Sequence, residues 1–377
     1  MKLSVVIPCL NESATLEAAI GLAQGLVSAA GGDGEIVVSD NGSTDGSQKI
    51  AESCGARVVN APRKGYGFAL LHGIRDAKGD IIVMGDADAT YDFREAAPLV
   101  ESIARGECDL AMGSRLRGKI EKGAMPFLHR YLGTPVLTFL IRVFFGLPIT
   151  DCNCGLRAFS KDAFEKMNLV SGGMEFASEM LIKAAKAKLR VTETPVSLAK
   201  DIRDREPHLN TWRDGWRHLR FILLMAPHVV FRIPGWILTS FFGLATVALS
   251  FGPVTIGRIV FDYHHLFYTV PLFAVGIQLL WFSSFADRFR SFIGLEEVEQ
   301  ARFPLDKWLI AGGLLVIAGI AVFAVVASKW LSAGRGELFA VREGAISLAL
   351  FIAGLLSIMN SLMVSMLELH VETRRKQ

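Results

Sequence analysis

The spacing of apolar residues changes character along the chain. Up to Ser114, apolar runs of a few residues alternate with amphipathic stretches; beyond Ile233 the runs become long and lose their polar face. The short runs "LSVVIP" (3–8), "EIVVSD" (35–40), "ARVVN" (56–60), "DIIVMGD" (80–86) and "DLAMGS" (109–114) predict strands. Between them, residues Ser13–Ser28, Gly46–Ser53, Gly65–Ala77 and Arg94–Ala104 carry helical signals. Strands and helices in alternation predict a parallel sheet with crossover helices, and in such sheets the ligand lies beyond the carboxyl ends of the strands.

Four later windows, Ile233–Gly257, Leu266–Ala286, Trp308–Ser328 and Gly344–Leu367, contain no Asp, Glu, Lys, Arg or His. Each is long enough to cross a hydrocarbon core of ~30 Å as a helix. Four buried helices of a soluble protein would show a continuous polar face, whereas only Gln278, Asn360 and neighbouring serines interrupt these. The pattern therefore predicts a sheet domain over 1–210, an amphipathic juxtamembrane segment over 211–232 and a four-span membrane domain over 233–377. Seven Lys and Arg lie between Lys200 and Arg232 and four between Arg288 and Lys307, against Arg258 alone in the first intervening loop. That bias predicts a multi-pass protein of the cell membrane with the sheet domain and both termini on the cytoplasmic side.

Composition agrees: 51% of the 377 residues are hydrophobic, too many for a wholly soluble chain. "MKLSVVIPCLNES" has too short an apolar run for a cleavable signal peptide and reads as a first strand. All five cysteines, Cys9, Cys54, Cys108, Cys152 and Cys154, fall in the expected cytoplasmic half, so free thiols are expected, "CNC" at 152–154 included. The net charge of +3 marks no nucleic-acid partner, but its concentration beside the spans suits anionic lipid headgroups.

Three strand ends deliver polar residues to one rim: Pro8 running into "NES", "SDNGSTDGS", and "GDADATYD". Asp86 and Asp88 in an extended segment point the same way. A pair of carboxylates with phosphate oxygens is what Mg²⁺ or Mn²⁺ takes, so a divalent cation bridging a nucleotide diphosphate is expected here. No "GxxxxGK" followed by Ser or Thr is present, so the nucleotide is not expected to be gripped as in a P-loop enzyme.

"VVIPCLNES", "VVSDNGSTDGS", "RKGYGFALLHGI", "GDADATYDF", "GSR", "DCNCGLRAF", "GMEFASEM" and "REPHLNTWRDGWRHLRFIL" together resemble the family 2 inverting glycosyltransferases. More closely, they resemble the polyprenyl-phosphate (dolichyl-phosphate) hexose synthases. The resemblance covers residues 1 to about 232 and implies the α/β, Rossmann-like fold called GT-A. By that resemblance Pro8, Glu12, Asp40 and Lys64 belong to the nucleotide site, where Asp86 also contributes. Asp86, Asp88 and Asp92 are the implied metal ligands, and Asp86, Asp88 and Arg115 the catalytic set. Arg115, Arg157, Arg205 and His208 are expected to bring positive charge to phosphates, and His129 and Arg130 to meet the acceptor.

The implied reaction moves one hexose from a nucleotide sugar, UDP-glucose or GDP-mannose, to polyprenyl phosphate. A lipid phosphate is already anionic near neutral pH, so no side chain need deprotonate it. Glu175 and Glu179 are therefore expected to neutralise the arginine cluster rather than act as bases. Phe127–Pro148 and Trp212–Arg232, apolar with basic and aromatic residues, suit a surface that meets the lipid. A processive synthase of the same fold is the alternative, but its "QxxRW" motif is absent; a non-catalytic membrane partner has no use for the Asp86–Asp88 charge pair. The small-residue faces "GGLLVIAG" and "AGLLS" suggest a homo-oligomer.

Overall fold

In the computed structural model, which describes residues 2–203, 211–292, 303–336 and 339–375, the first apolar run forms β1 (Leu3–Cys9). Val5, Val6 and Ile7 are fully buried, each worth ~1.5–3 kcal/mol relative to exposure. The chain continues through α1 (Leu16–Ala29), β2 (Gly34–Asp40), α2 (Ser47–Ser53), β3 (Arg57–Asn60), α3 (Tyr66–Asp76) and β4 (Ile81–Met84). A turn of 3-10 helix, Phe93–Ala96, leads into α4 (Ala97–Ala104) and then β5 (Leu110–Ser114). All five expected strands and the four helices between them are present, shifted by one to three residues at their ends.

Two further strands were not legible. After α5 (Thr134–Phe145) comes β6 (Arg157–Ser160), and after α6 (Lys161–Met167) and α7 (Phe176–Lys186) comes β7 (Val191–Pro195). The sheet order is β3-β2-β1-β4-β6-β5-β7. β6 lies antiparallel between β4 and β5, pairing Arg157 with Met84 on one side and Met112 on the other. The sheet is thus mostly parallel, as expected of the GT-A fold that the resemblance implies. Its strand order reverses between β1 and β4, which opens the crevice where open α/β sheets bind ligands.

The first compact unit runs to Met225 and includes α8 (Thr211–Met225). Asp214, His218, Ile222 and Met225, at helical spacing, are its buried positions, and Trp212, Trp216 and Leu224 are exposed. On α5, Leu137, Thr138 and Ile141 face the core, whereas Val136, Phe139 and Val143 form an exposed apolar stripe continued N-terminally by Leu128 and Leu132. Phe127 and Phe139 are 74% and 62% exposed. Such a contiguous patch marks a binding or membrane surface.

The second unit, Ala226–Gln377, holds α9 (Ile233–Phe251), a hairpin of β8 (Val254–Ile256) and β9 (Ile259–Phe261), α10 (Leu266–Phe292), α11 (Leu305–Ser332) and α12 (Val341–Arg375). Four helical segments, His228–Phe251, Tyr263–Ser291, Leu305–Ser332 and Val341–Glu368, are long and apolar enough to cross a membrane. The first ends six residues before the expected Gly257, because Gly252-Pro253 stops the helix and Gly257, at φ +60°, turns the hairpin.

The small-residue faces serve α11 against α12 within the chain, which corrects their reading as an oligomer seam. A Cβ on Gly312 would lie 2.9 Å from the Gly354 carbonyl, and one on Gly319 2.9 Å from the Ser347 carbonyl. Helices approach this closely only where side chains are missing. α10 and α12 are joined by an amide pair: Gln278 donates to Asn360 at 3.1 Å and Asn360 donates back at 3.0 Å.

Candidate active site at the carboxyl ends of β1 and β4

The loops after β1 and β2 are stitched together by side chains that cap backbone donors. The Asn11 amide donates to Ser43 Oγ at 2.9 Å, the Glu12 amide to Ser47 Oγ at 3.0 Å and the Ser13 amide to Asp45 at 2.9 Å. Asp40 is buried and accepts from the Gly42 and Ser43 amides and, at 2.7 Å, from Gln48 Nε2. Its carboxylate shapes this loop, a structural task beyond the nucleotide-site role implied for it. Pro8 is buried at the end of β1, and Lys64 is exposed on the loop before α3.

Asp86 and Asp88 leave β4 into the same crevice. Ala89 adopts φ +55°, which folds Thr90 back so that its amide and hydroxyl donate to Asp88 Oδ1 at 3.1 and 2.7 Å. Asp88 Oδ2 accepts from Arg203 at 3.1 Å, and the same guanidinium donates to Glu12 at 2.7 Å and to Asp201 at 2.6 Å. Asp86 Oδ1 accepts from the Tyr66 hydroxyl at 2.9 Å. Burial and, next, the charge of Asp88 push the Asp86 carboxyl up to about 6.

Among the described residues no three His, Cys, Asp or Glu side chains form a group that would hold a metal ion by themselves. Two carboxylates at a strand end nevertheless suit a hard divalent cation that takes its remaining ligands from substrate phosphates and water. Burial raises the Asp86 carboxyl most and Asp88 next, while Arg115 and Arg203 oppose the shift. The residues fit such an ion.

The expected cations sort differently from the expectation. Arg115 grips the buried Asp151 through two parallel hydrogen bonds, Nε at 2.7 Å and Nη2 at 2.9 Å, and its charge still acts on Asp86. Arg157 is fully buried and donates to the carbonyls of Cys154, Ala177 and Cys152 at 2.8–2.9 Å. With its donors spent on backbone it contributes a fixed positive field, not a phosphate contact as expected. Arg130 is exposed and its guanidinium lies over the Tyr131 ring, 5.5 Å from its centroid. His129 is half-buried, and burial and Arg115 lower its pKa. Arg205 and His208 lie outside the described residues.

Asp92 does not join the other two aspartates in a metal-holding group. It caps the Phe93–Ala96 turn by accepting from the Arg94 amide at 2.9 Å and pairs with the Arg94 guanidinium at 2.7 Å. Glu179 is fully buried and pairs with Lys183 at 2.9 Å while accepting from the Val170 and Ser171 amides, so it does not neutralise arginines. The cysteines are free, and burial pushes the thiols of Cys152 and Cys154 up to about 12. Sequence reasoning passed over Arg203 and Tyr66; the only signal for the latter was its place in "RKGYG", just behind a strand end.

The model of glycosyl transferase family 2 matches residues 4–167, and that of the glycosyltransferase family 2 C-terminal transmembrane region matches residues 294–368. The low-salt glycan biosynthesis hexosyltransferase Agl6 of Haloferax volcanii is 35% identical over 375 residues, covering 97% of this chain and 89% of the relative. Glycosyltransferase AglJ of the same organism is 30% identical over 185 residues, 49% of this chain and 60% of the relative. Among solved structures, glucosyl-3-phosphoglycerate synthase from Mycobacterium tuberculosis in complex with phosphoglyceric acid aligns with a TM-score of 0.50 and 26% identity, over 60% of this chain and 80% of that one. The mostly parallel sheet with its carboxylate pair beyond β4 is the GT-A arrangement. With this fold and a match along nearly its whole length, the chain belongs to glycosyl transferase family 2 and is a membrane glycosyltransferase carrying that family's C-terminal transmembrane region.

Proposed function

We propose that this enzyme transfers one hexose, with inversion, from a nucleotide sugar to polyprenyl phosphate on the cytoplasmic face of the membrane. The observation that carries the reading is the Asp86–Asp88 pair at the carboxyl end of β4, with Arg203 against it and Arg115 acting on it. The name of the Haloferax relative, a hexosyltransferase of glycan biosynthesis, supports a hexose and a glycan pathway. The exposed stripe on α5, the Trp-bearing face of α8 and the four spans support a lipid acceptor. UDP-glucose is the first donor to test and GDP-mannose the second. The Lys and Arg bias supports a cytoplasmic catalytic domain with both termini on the same side.

In this mechanism an acceptor phosphate oxygen attacks the anomeric carbon as the bond to the nucleoside diphosphate breaks on the opposite face. The acceptor arrives as an anion, so no general base is required of Glu175 or Glu179. Asp86 and Asp88 would hold Mg²⁺ or Mn²⁺, which when bound supplies positive charge to the diphosphate. Arg115, fixed by Asp151, contributes a pre-oriented field toward the same place at no reorganisation cost. The contacts of Arg203 to Glu12 and Asp88 are of the kind a nucleotide and cation would replace. Pro8, Glu12, Asp40 and Lys64 form the nucleoside side of the crevice.

The test is transfer of labelled hexose by full-length protein with Mg²⁺ or Mn²⁺, a panel of nucleotide sugars and undecaprenyl or dolichyl phosphate. A single lipid-linked hexose is expected; polymer would favour the processive alternative, and no turnover a non-catalytic role. Asp88→Ala should abolish transfer with the fold intact. Arg130→Ala should raise the KM for lipid more than for donor, and the reverse split would move the acceptor surface away from α5.

A further inference from the structure

We propose that Tyr66 is a positioning residue for Asp86, and that the loop Val170–Gly173 is the mount that holds Tyr66 in place. The inference rests on the reading of Asp86 as a metal ligand and goes beyond it, because nothing else assigns a task to "GYG" or to the buried Glu179.

The chain of contacts is continuous. Glu179 is fully buried and accepts from the Val170 amide at 3.1 Å and from the Ser171 amide at 2.8 Å, with Lys183 at 2.9 Å neutralising it. That fixes the next carbonyl, Gly172 O, which accepts from the Gly67 amide at 3.0 Å in the first turn of α3. The approach is so close that a Cβ on Gly67 would lie 2.3 Å from the Ser171 carbonyl. On the other side, Asn41 accepts from the Gly65 amide at 2.7 Å and donates to the Arg63 carbonyl at 2.8 Å. Tyr66 is thus held by neighbours on both sides, and its hydroxyl donates to Asp86 Oδ1 at 2.9 Å.

The consequence lies in which oxygen is left. Oδ1 is committed to Tyr66, whereas Oδ2 accepts no hydrogen bond among the described residues and lies against Gly155, where a Cβ would come within 2.6 Å of it. A carboxylate on a terminal, softly restrained torsion otherwise samples many orientations. Held at one oxygen and walled by backbone beside the other, Asp86 presents a single lone-pair face to a cation. Hydrogen-bond partners of a ligating carboxylate characteristically set metal affinity in this way.

The experiment titrates full-length protein in nanodiscs with Mn²⁺ and follows the free-ion EPR signal, with and without UDP. Wild type is expected to bind and Asp86→Asn to lose binding. Tyr66→Phe keeps the ring and removes only the donor, and its apparent dissociation constant for Mn²⁺ should rise about 10- to 100-fold. Its thermal midpoint should stay near wild type. Gly67→Ala, which disturbs the mount but keeps the hydroxyl, should weaken binding in the same direction, and the double variant should be no weaker than the weaker single one. Unchanged Mn²⁺ affinity in Tyr66→Phe overturns the proposal, and full additivity in the double variant removes the mount from it. If wild type binds no Mn²⁺, or Asp86→Asn binds as well as wild type, the metal reading fails instead.

Discussion

Arg203 donates to Asp88 at 3.1 Å, so the second aspartate of the "DAD" segment is already engaged by a cation that the protein supplies. The same side chain spans to Glu12 at 2.7 Å, joining the end of β1 to the end of β4. A divalent ion approaching Asp88 meets like charge from the guanidinium, and the two compete for one carboxylate oxygen. Arg203→Gln should therefore tighten Mn²⁺ binding to nucleotide-free protein severalfold, read by EPR titration. Weaker binding would show instead that Arg203 serves to orient Asp88.

Gly155 gives the second prediction. Its Cα lies against Asp86, so an added methyl would sit 2.6 Å from Oδ2 and 3.3 Å from the Tyr91 ring. The Tyr91 hydroxyl accepts from the Gly155 amide at 3.1 Å, which leaves this segment little room to retreat. Gly155→Ala should cost ~1–3 kcal/mol of stability, the usual range for overpacking, and reduce transfer about 100-fold, the scale of a displaced reacting group. Near-normal turnover in a folded variant would mean that Asp86 tolerates a different orientation.

What could be read in advance followed from periodicity. The strands β1 to β5 announced themselves as apolar runs bounded by turn residues, and Asp86 and Asp88 followed from their place behind one of them. β6 was hidden because four residues, "RAFS", show no alternation and begin with an arginine. Only pairing on both sides, to Met84 and Met112, makes Arg157 a core residue. Arg203 escaped notice for the opposite reason: it belongs to a basic, irregular segment in which one arginine looks like another, and a contact to Glu12 across 191 positions leaves no periodic trace. Charge composition predicted that cations serve the site. It did not say which had been spent on backbone carbonyls or on Asp151.

His218 supplies a pH dependence separate from the metal. It is buried on α8 with its Nδ1 2.7 Å from Ser178 Oγ, and burial pushes its pKa down to about 4. The folded value lies below the ordinary ~6.5 of an unfolded chain. The unfolded state thus binds more protons between the two values, and stability is present in full above pH 6.5 and lost as pH falls towards 4. Lowering pH from 7.5 to 4.5 should cost about 2–3 kcal/mol through this group. His218→Gln should flatten that part of the stability profile, measured by denaturant unfolding; an unchanged profile would assign the acid sensitivity elsewhere.

The Gln278–Asn360 pair tests what holds the spans together. Both amides lie in largely apolar spans, and their reciprocal hydrogen bonds at 3.1 and 3.0 Å satisfy donors and acceptors that hydrocarbon cannot. Asn360 also donates to its own helix at Leu356 O, 2.8 Å away, so removing Gln278 leaves Asn360 partly satisfied. The reverse removal leaves the Gln278 amide with the larger loss. Asn360→Leu should therefore destabilise more than Gln278→Leu, by up to ~1.7 kcal/mol, the upper end for such pairs in a membrane. Replacing both with Leu should recover part of the loss, because no buried polar group is then left without its partner. Thermal unfolding in detergent across the double-mutant cycle reads the coupling, and strictly additive losses would show that α10 and α12 associate by packing alone.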